Sequence, residues 1–126
     1  MTFGKLLKQL REERGLSLRE LSSLCRPSVD HAYIYRLEAG EKTTPSEGVV
    51  QTLARALKLS GQKLLLFKFL AEEGEIPDSL VELVLDEAAK IKKQELESLA
   101  HLSSRGRQPK STEDWHKALT LLRKYF

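Results

Sequence analysis

The chain has 126 residues, of which 40% are hydrophobic and 31% charged, with 21 Lys+Arg against 18 Asp+Glu for a net charge of +3. That length suits one domain, or a small domain with an appendage. A single cysteine, Cys25, excludes an intrachain disulfide framework and a cysteine-based metal site, and the longest purely apolar run, residues 64–67, is far short of a membrane span.

In chain order, Phe3, Leu6, Leu7 and Leu10 fall at i, i+3, i+4 and i+7, so residues 2–14 are expected to form an amphipathic helix ended by Gly15. Ser17 is placed to cap a second helix, in which Leu18, Leu21 and Leu24 repeat at helical spacing and Cys25 ends the apolar stripe as a small core residue. Asp30 is placed to cap a third, with Val29, Ile34 and Leu37 inward and Gly40 closing it in the left-handed conformation. The outer face left on this third helix carries His31, Ala32, Tyr35 and Arg36. A short helix with a polar, Arg-bearing face, held on a neighbouring helix, is how side chains reach a DNA major groove.

Ser46 then caps a fourth helix with Val49, Val50, Leu53, Ala54 and Leu57 inward, and Ser60 opens a fifth whose LLLFKFLA run is apolar on nearly all sides. After an acidic break at residues 72–75, Pro77 sits where a helix can begin. Leu80, Val81, Val84, Leu85, Ala88 and Ile91 follow, and after a falter at residues 92–94 the pattern resumes at Leu96, Leu99 and Leu102. One long helix or two joined by a bend fit equally well. Residues 103–110, SSRGRQPK, read as a loop or linker. Ser111 and Asp114 make a capping-box pair opening a last helix with Trp115, Leu119, Leu122 and Phe126.

Charge is unevenly spread. Residues 1–70 hold 12 basic and 7 acidic side chains, residues 71–104 hold 3 and 9, and residues 105–126 hold 6 and 2. A basic head on an acidic middle suits a head that meets phosphates and a middle that meets protein. Nothing points to catalysis or to a cofactor. His31, His101 and His116 lack the spacing of metal ligands, and Ser111, Asp114 and His116 lie too close along one helix to converge as a triad. The chain is expected to be a non-enzyme with no bound metal, and, since residues 1–8 lack an apolar leader core, cytoplasmic and nucleoid-associated.

The pieces RxxxGLSLxEL at residues 11–21 and YIxRLExG at residues 33–40, with the following loop and Pro45, make the first 70 residues resemble the lambda-Cro/C1-type (Xre) helix-turn-helix family. The resemblance implies an all-α chain, a five-helix helix-turn-helix domain at residues 1–71 followed by a C-terminal helical dimerisation domain at 77–126, with 72–76 as linker. It also implies a buried ion pair between Arg11 and Glu38, base reading by His31, Ala32, Tyr35 and Arg36, and phosphate contacts from Ser17, Arg19, Lys42, Thr43 and Thr44. Tyr33 is expected to pack on the scaffold or touch backbone phosphate. Two departures stand out: Arg26 and Pro27 are extra in the turn, with Ser28 where the family has Gly, and Leu18 replaces a phosphate-clamping Gln.

The tail, RGRQP at residues 105–109 followed by Asp114-Trp115 and a closing amphipathic helix, resembles DdrO-type repressors paired with ImmA/IrrE-type metalloproteases. That likeness implies a homodimer on a pseudo-palindromic operator in double-stranded DNA. It implies a cleavage loop at Ser104, Arg105 and Gly106, and a dimer interface including Leu96, Leu99, Trp115, Leu119, Leu122 and Phe126. Two other readings compete: a DNA-binding antitoxin whose acidic segment masks a toxin, and a SinR-type regulator that exchanges helices with an antagonist.

Overall fold

A computed structural model describes residues 1–41, 44–103 and 109–125. Eight helices and no strand are present among them, divided into two compact units, Thr2–Glu75 and Ile76–Phe126.

In the first unit, α1 (Phe3–Glu13) is capped by the Thr2 side chain, which accepts from the Lys5 N–H. It buries Phe3, Leu6, Leu7 and Leu10, the four positions that its 3.6-residue period brings to one face. Phe3 stacks at a tilt on Phe67 of α5 (Gly61–Glu73), ring centroids 4.7 Å apart. Helix α3 (His31–Glu38) packs on α1 and on α2 (Leu18–Leu24), and α4 (Glu47–Ala56) is capped by Ser46, which accepts from the Val49 N–H. Helix α5 buries Leu66, Phe67, Phe69, Leu70 and Ala71 and extends through Glu73, two residues into the expected linker. Leu24 departs from its expected inward place. It is 58% exposed, because α2 ends there and Cys25 takes the buried position beside it.

Helix α1 crosses α3 closely enough that Gly4 has no room for a side chain. A Cβ there would stand 2.3 Å from the Leu37 carbonyl oxygen and 3.0 Å from that of Glu38. Gly inside a helix is ordinarily worse than Ala by about 1 kcal/mol. At this position the preference inverts, since a backbone carbonyl cannot swing aside as a side chain does. Gly4→Ala is expected to destabilise the unit by about 1–3 kcal/mol, read as a lower denaturant midpoint with an unchanged slope.

The second unit resolves the ambiguity of residues 77–103 into two helices, α6 (Asp78–Leu85) and α7 (Lys93–Ser103). Between them Lys90 adopts a left-handed φ of 47°, and the Asp86 carboxylate accepts from the Ala88 N–H at 3.0 Å. The Glu95 carboxylate accepts from the Lys92 N–H at 2.9 Å and so starts α7. Helix α8 (Thr112–Tyr125) packs on both: Trp115 and Leu119 join Leu80, Leu83, Val84, Leu96 and Leu99 in one core.

Candidate nucleic-acid interface

The two helices that present the interface begin at well-made caps. Ser17 accepts from the Glu20 N–H at 3.0 Å, and the Glu20 carboxylate accepts from the Ser17 N–H at 3.0 Å. Hydrogen bonding from Ser17 to the carboxylate, from its backbone N–H first and its side chain second, holds the Glu20 carboxyl below the usual carboxylate range. At α3 the Asp30 carboxylate accepts from the Tyr33 N–H at 2.8 Å. The turn between is fastened by the Ser22 hydroxyl, which donates to the Val29 carbonyl at 2.9 Å. Cys25 lies buried under this turn, and burial pushes its thiol pKa up, so it stays protonated and inert.

Burying Val29, Ile34 and Leu37 turns the other side of α3 outward. Ala32, Tyr35 and Arg36, at i, i+3 and i+4, are all exposed, Tyr35 at 58%. His31 is half-buried at the first turn, and Tyr33 is half-buried as well. Ser17, Arg19 and Thr44 are exposed, while Lys42 and Thr43 lie outside the described residues. A fork of planar donors on Arg36, a small Ala32 that lets the helix approach, and an aromatic Tyr35 can meet base edges in a groove about 12 Å wide.

What holds α3 at its angle is Arg11 of α1. Its Nε donates to Glu38 Oε2 at 2.7 Å and Nη2 to Oε1 at 2.9 Å, while Nη1 donates to the Leu16 carbonyl at 2.8 Å. The hydrogen-bonded Glu38 carboxylate raises the Arg11 pKa despite the opposing effect of burial. The pair joins α1, the start of α2 and the end of α3 at one point. Sequence reasoning missed Gly4, on the same α1–α3 contact, because close approach leaves no periodic mark.

In the second unit, residues expected to meet a partner have a different setting. Leu96, Leu99, Trp115 and Leu119 are at most 3% exposed inside the single chain. Trp115 Nε1 donates to Ser79 Oγ at 2.8 Å, fixing α8 to α6. Leu122 is half-buried, Phe126 lies outside the described residues, and so do Ser104, Arg105 and Gly106. The large apolar side chains left exposed here are Leu102, Leu121 and Tyr125. On α8, Ala118, Leu121, Leu122 and Tyr125 follow one helical face.

Arg123 closes the far end of α8. Its Nε donates to Glu95 Oε2 at 2.7 Å and Nη2 to the Ala89 carbonyl at 2.7 Å. The Arg123 hydrogen bond holds the Glu95 carboxyl below the usual carboxylate range, against a smaller opposing effect of burial. A carboxylate with a depressed folded-state pKa stabilises fully above its unfolded value of about 4.3 and loses that contribution as pH falls through the folded value. Acid titration of Arg123→Gln is therefore expected to show a shallower loss of second-unit stability below about pH 4 than the parent chain.

A five-helix unit with capped α2 and α3, an outward Arg-bearing α3 and an Arg–Glu clasp defines a helix-turn-helix DNA-binding protein. Residues 2–67 match the family described as helix-turn-helix domain, and residues 71–126 the family described as transcriptional repressor DdrO, C-terminal dimerisation domain. The chain is 32% identical over 120 residues to the HTH-type transcriptional regulator DdrOP3 of Deinococcus deserti, covering 91% of each. It is 36% identical over 64 residues to the HTH-type transcriptional repressor RghR of Bacillus subtilis, 51% of this chain and 46% of that protein. The chain belongs to the DdrO family of helix-turn-helix transcriptional repressors. It is a DNA-binding homodimeric regulator and not an enzyme, and among the described residues no helix is long and apolar enough to cross a membrane.

Proposed function

We propose that the chain represses transcription by placing two copies of α3 in successive major-groove faces of a pseudo-palindromic operator, half-sites about 34 Å apart. The observation that carries this is the outward set Ala32, Tyr35 and Arg36 on a helix clasped by Arg11 and Glu38. His31 at the first turn completes the base-reading set. Ser17, Arg19, Lys42, Thr43 and Thr44 serve as phosphate contacts that set register. Arg36→Ala is expected to lower affinity for DNA from upstream of the chain's own gene by about 1–3 kcal/mol at fixed salt. Affinity for unrelated DNA should change far less. Equal losses on both, in gel-shift titrations at two salt concentrations, would make Arg36 a phosphate contact only.

The dimer is proposed to form across Ala118, Leu121, Leu122 and Tyr125 of α8 with Leu102 of α7, apolar side chains that the unit's own core leaves exposed or half-buried. Derepression is proposed to follow cutting at residues 104–106 by an ImmA/IrrE-type metalloprotease. Helix α8 carries both Trp115 of the core and the exposed apolar stripe, so its release removes the fold of the unit and the interface together. A truncation ending at Ser104 should then be monomeric by light scattering and should lose specific binding while keeping salt-sensitive nonspecific binding. The antitoxin alternative rests on the 9 acidic side chains against 3 basic ones in residues 71–104. Its mark would be co-purification of the intact chain with a basic protein in place of two cleavage fragments.

A further inference from the structure

The first unit holds a second concentration of positive charge. The C-terminal ends of α1, α2 and α4 converge on a half-open cavity of about 550 Å³, lined by Arg14, Arg26, Arg55 and Lys58 with Leu16 and Leu24 as apolar walls. No Asp or Glu lines it, and no residue of α3 does. Among the described residues none of these four cations is held in an ion pair.

Helix C-termini attract cations for structural reasons, and part of this charge answers that demand. Arg14 Nη1 donates to the Leu57 carbonyl at 3.3 Å, at the end of α4. Three helix ends, however, bring only about half a negative charge each. Four full positive charges exceed that by about 2.5, so the cavity keeps a positive balance.

Lys58 adds an independent sign. Helices α1 and α3 end with the same pair of backbone bonds as α4, and each puts glycine at the left-handed position, Gly15 at φ 66° and Gly40 at φ 81°. At α4 the residue is Lys58, at φ 53°, its N–H donating to the Arg55 carbonyl at 3.0 Å while the Leu59 N–H reaches the Ala54 carbonyl at 3.0 Å. A left-handed lysine costs stability that glycine would save. A cation past a helix C-terminus suits the dipole, and here it also sets an ammonium at the rim of the basic cavity.

We propose that this cavity binds a small amphipathic anion, a phosphate- or carboxylate-bearing organic molecule. Its anionic group lies among Arg26, Arg55 and Lys58, and its apolar body covers Leu16 and Leu24. The volume is in the range of small-molecule sites, which join apolar walls to a few convergent polar groups. Leu24, exposed against the period of its own helix, becomes a wall of that site.

The test is an NMR titration of the full-length, 15N-labelled chain with phenyl phosphate, using inorganic phosphate and phenol as controls. Saturable shifts confined to the amides of Leu16, Arg26, Ala56 and Lys58 are expected, with phenyl phosphate binding about fivefold or more tightly than inorganic phosphate and phenol not saturating. Lys58→Gly should raise the melting temperature, or leave it unchanged, while weakening phenyl phosphate about fivefold, and Arg55→Ala should weaken it similarly. Shifts spread over the whole basic surface, equal for phosphate and phenyl phosphate, would overturn the proposal, as would affinity indifferent to Lys58→Gly. So would a loss of operator affinity in both variants without ligand, with a flatter salt dependence, since the cations would then be DNA contacts.

Discussion

Glu38→Ala is expected to remove about 3 kcal/mol from the stability of the first unit, the lower end of what breaking a buried ion pair costs. The carboxylate is 6% exposed and Arg11 12%, so little water replaces what is lost. Two of the guanidinium's donors would lose their acceptor at 2.7 and 2.9 Å, and only the bond to the Leu16 carbonyl would remain. Denaturant unfolding of the headpiece transition reads the effect, which should shift the midpoint without changing the slope. Arg11→Lys should cost nearly as much, because a single ammonium cannot span both carboxylate oxygens and the carbonyl at once. An apolar pair, Arg11→Met with Glu38→Leu, should recover much of the loss, since it leaves no stranded charge. If Glu38→Ala alone costs under about 1 kcal/mol, the pair behaves as an exposed one and is not the clasp of α3. Operator affinity should fall more than nonspecific affinity in the single variants, as the angle of α3 relaxes while the phosphate-contacting surface stays charged.

Trp115→Ala is expected to cost about 3–5 kcal/mol in the second unit, the range for emptying a buried aromatic site. The indole is fully buried and its N–H is spent on Ser79 Oγ at 2.8 Å, so the substitution leaves both a cavity and a half-buried hydroxyl without its donor. Light scattering should then find monomers at concentrations where the parent chain is dimeric, and specific operator binding should drop because each headpiece reads only a half-site. Trp115→Phe separates the two contributions: it keeps most of the packing and loses the bond, for about 1–2 kcal/mol. Leu121→Asp separates fold from assembly. It lies on the exposed stripe of α8, 57% accessible, so it should abolish the dimer while leaving the thermal unfolding of the monomeric unit nearly unchanged. A Leu121→Asp chain that remains dimeric would move the interface elsewhere on the unit.

Different features of the molecule were legible in the sequence to different degrees. The caps at Ser17, Asp30 and Ser46 and the left-handed stops at Gly15 and Gly40 could be read directly, because each depends on a residue and a backbone bond within four positions. The inward positions of α1 and α3 were equally plain from their period. The Arg11–Glu38 contact spans 27 residues and was reached through family resemblance, not through periodicity. The joint between α6 and α7 stayed open because residues 86–92 carry no Gly or Pro; a left-handed Lys90 and the Asp86 cap make the turn instead. Apolar spacing in α7 and α8 announced burial without naming what would cover it. Leu96, Leu99, Trp115 and Leu119 turned out to cover one another, which leaves Leu121 and Tyr125 outside.

The sequence by itself determined the helical class, the caps and stops of the first four helices, the outward face of α3 and the family, since all of these rest on short-range spacing and on motif residues. Tertiary structure alone decided which apolar residues are core and which are surface, why Gly4 must lack a side chain, and how Arg14, Arg26, Arg55 and Lys58 come to share one cavity. The reason is physical. Hydrogen bonds and helical periods act over a few residues and leave a repeating trace, whereas close packing and the summation of charge depend on distances that only the folded chain creates.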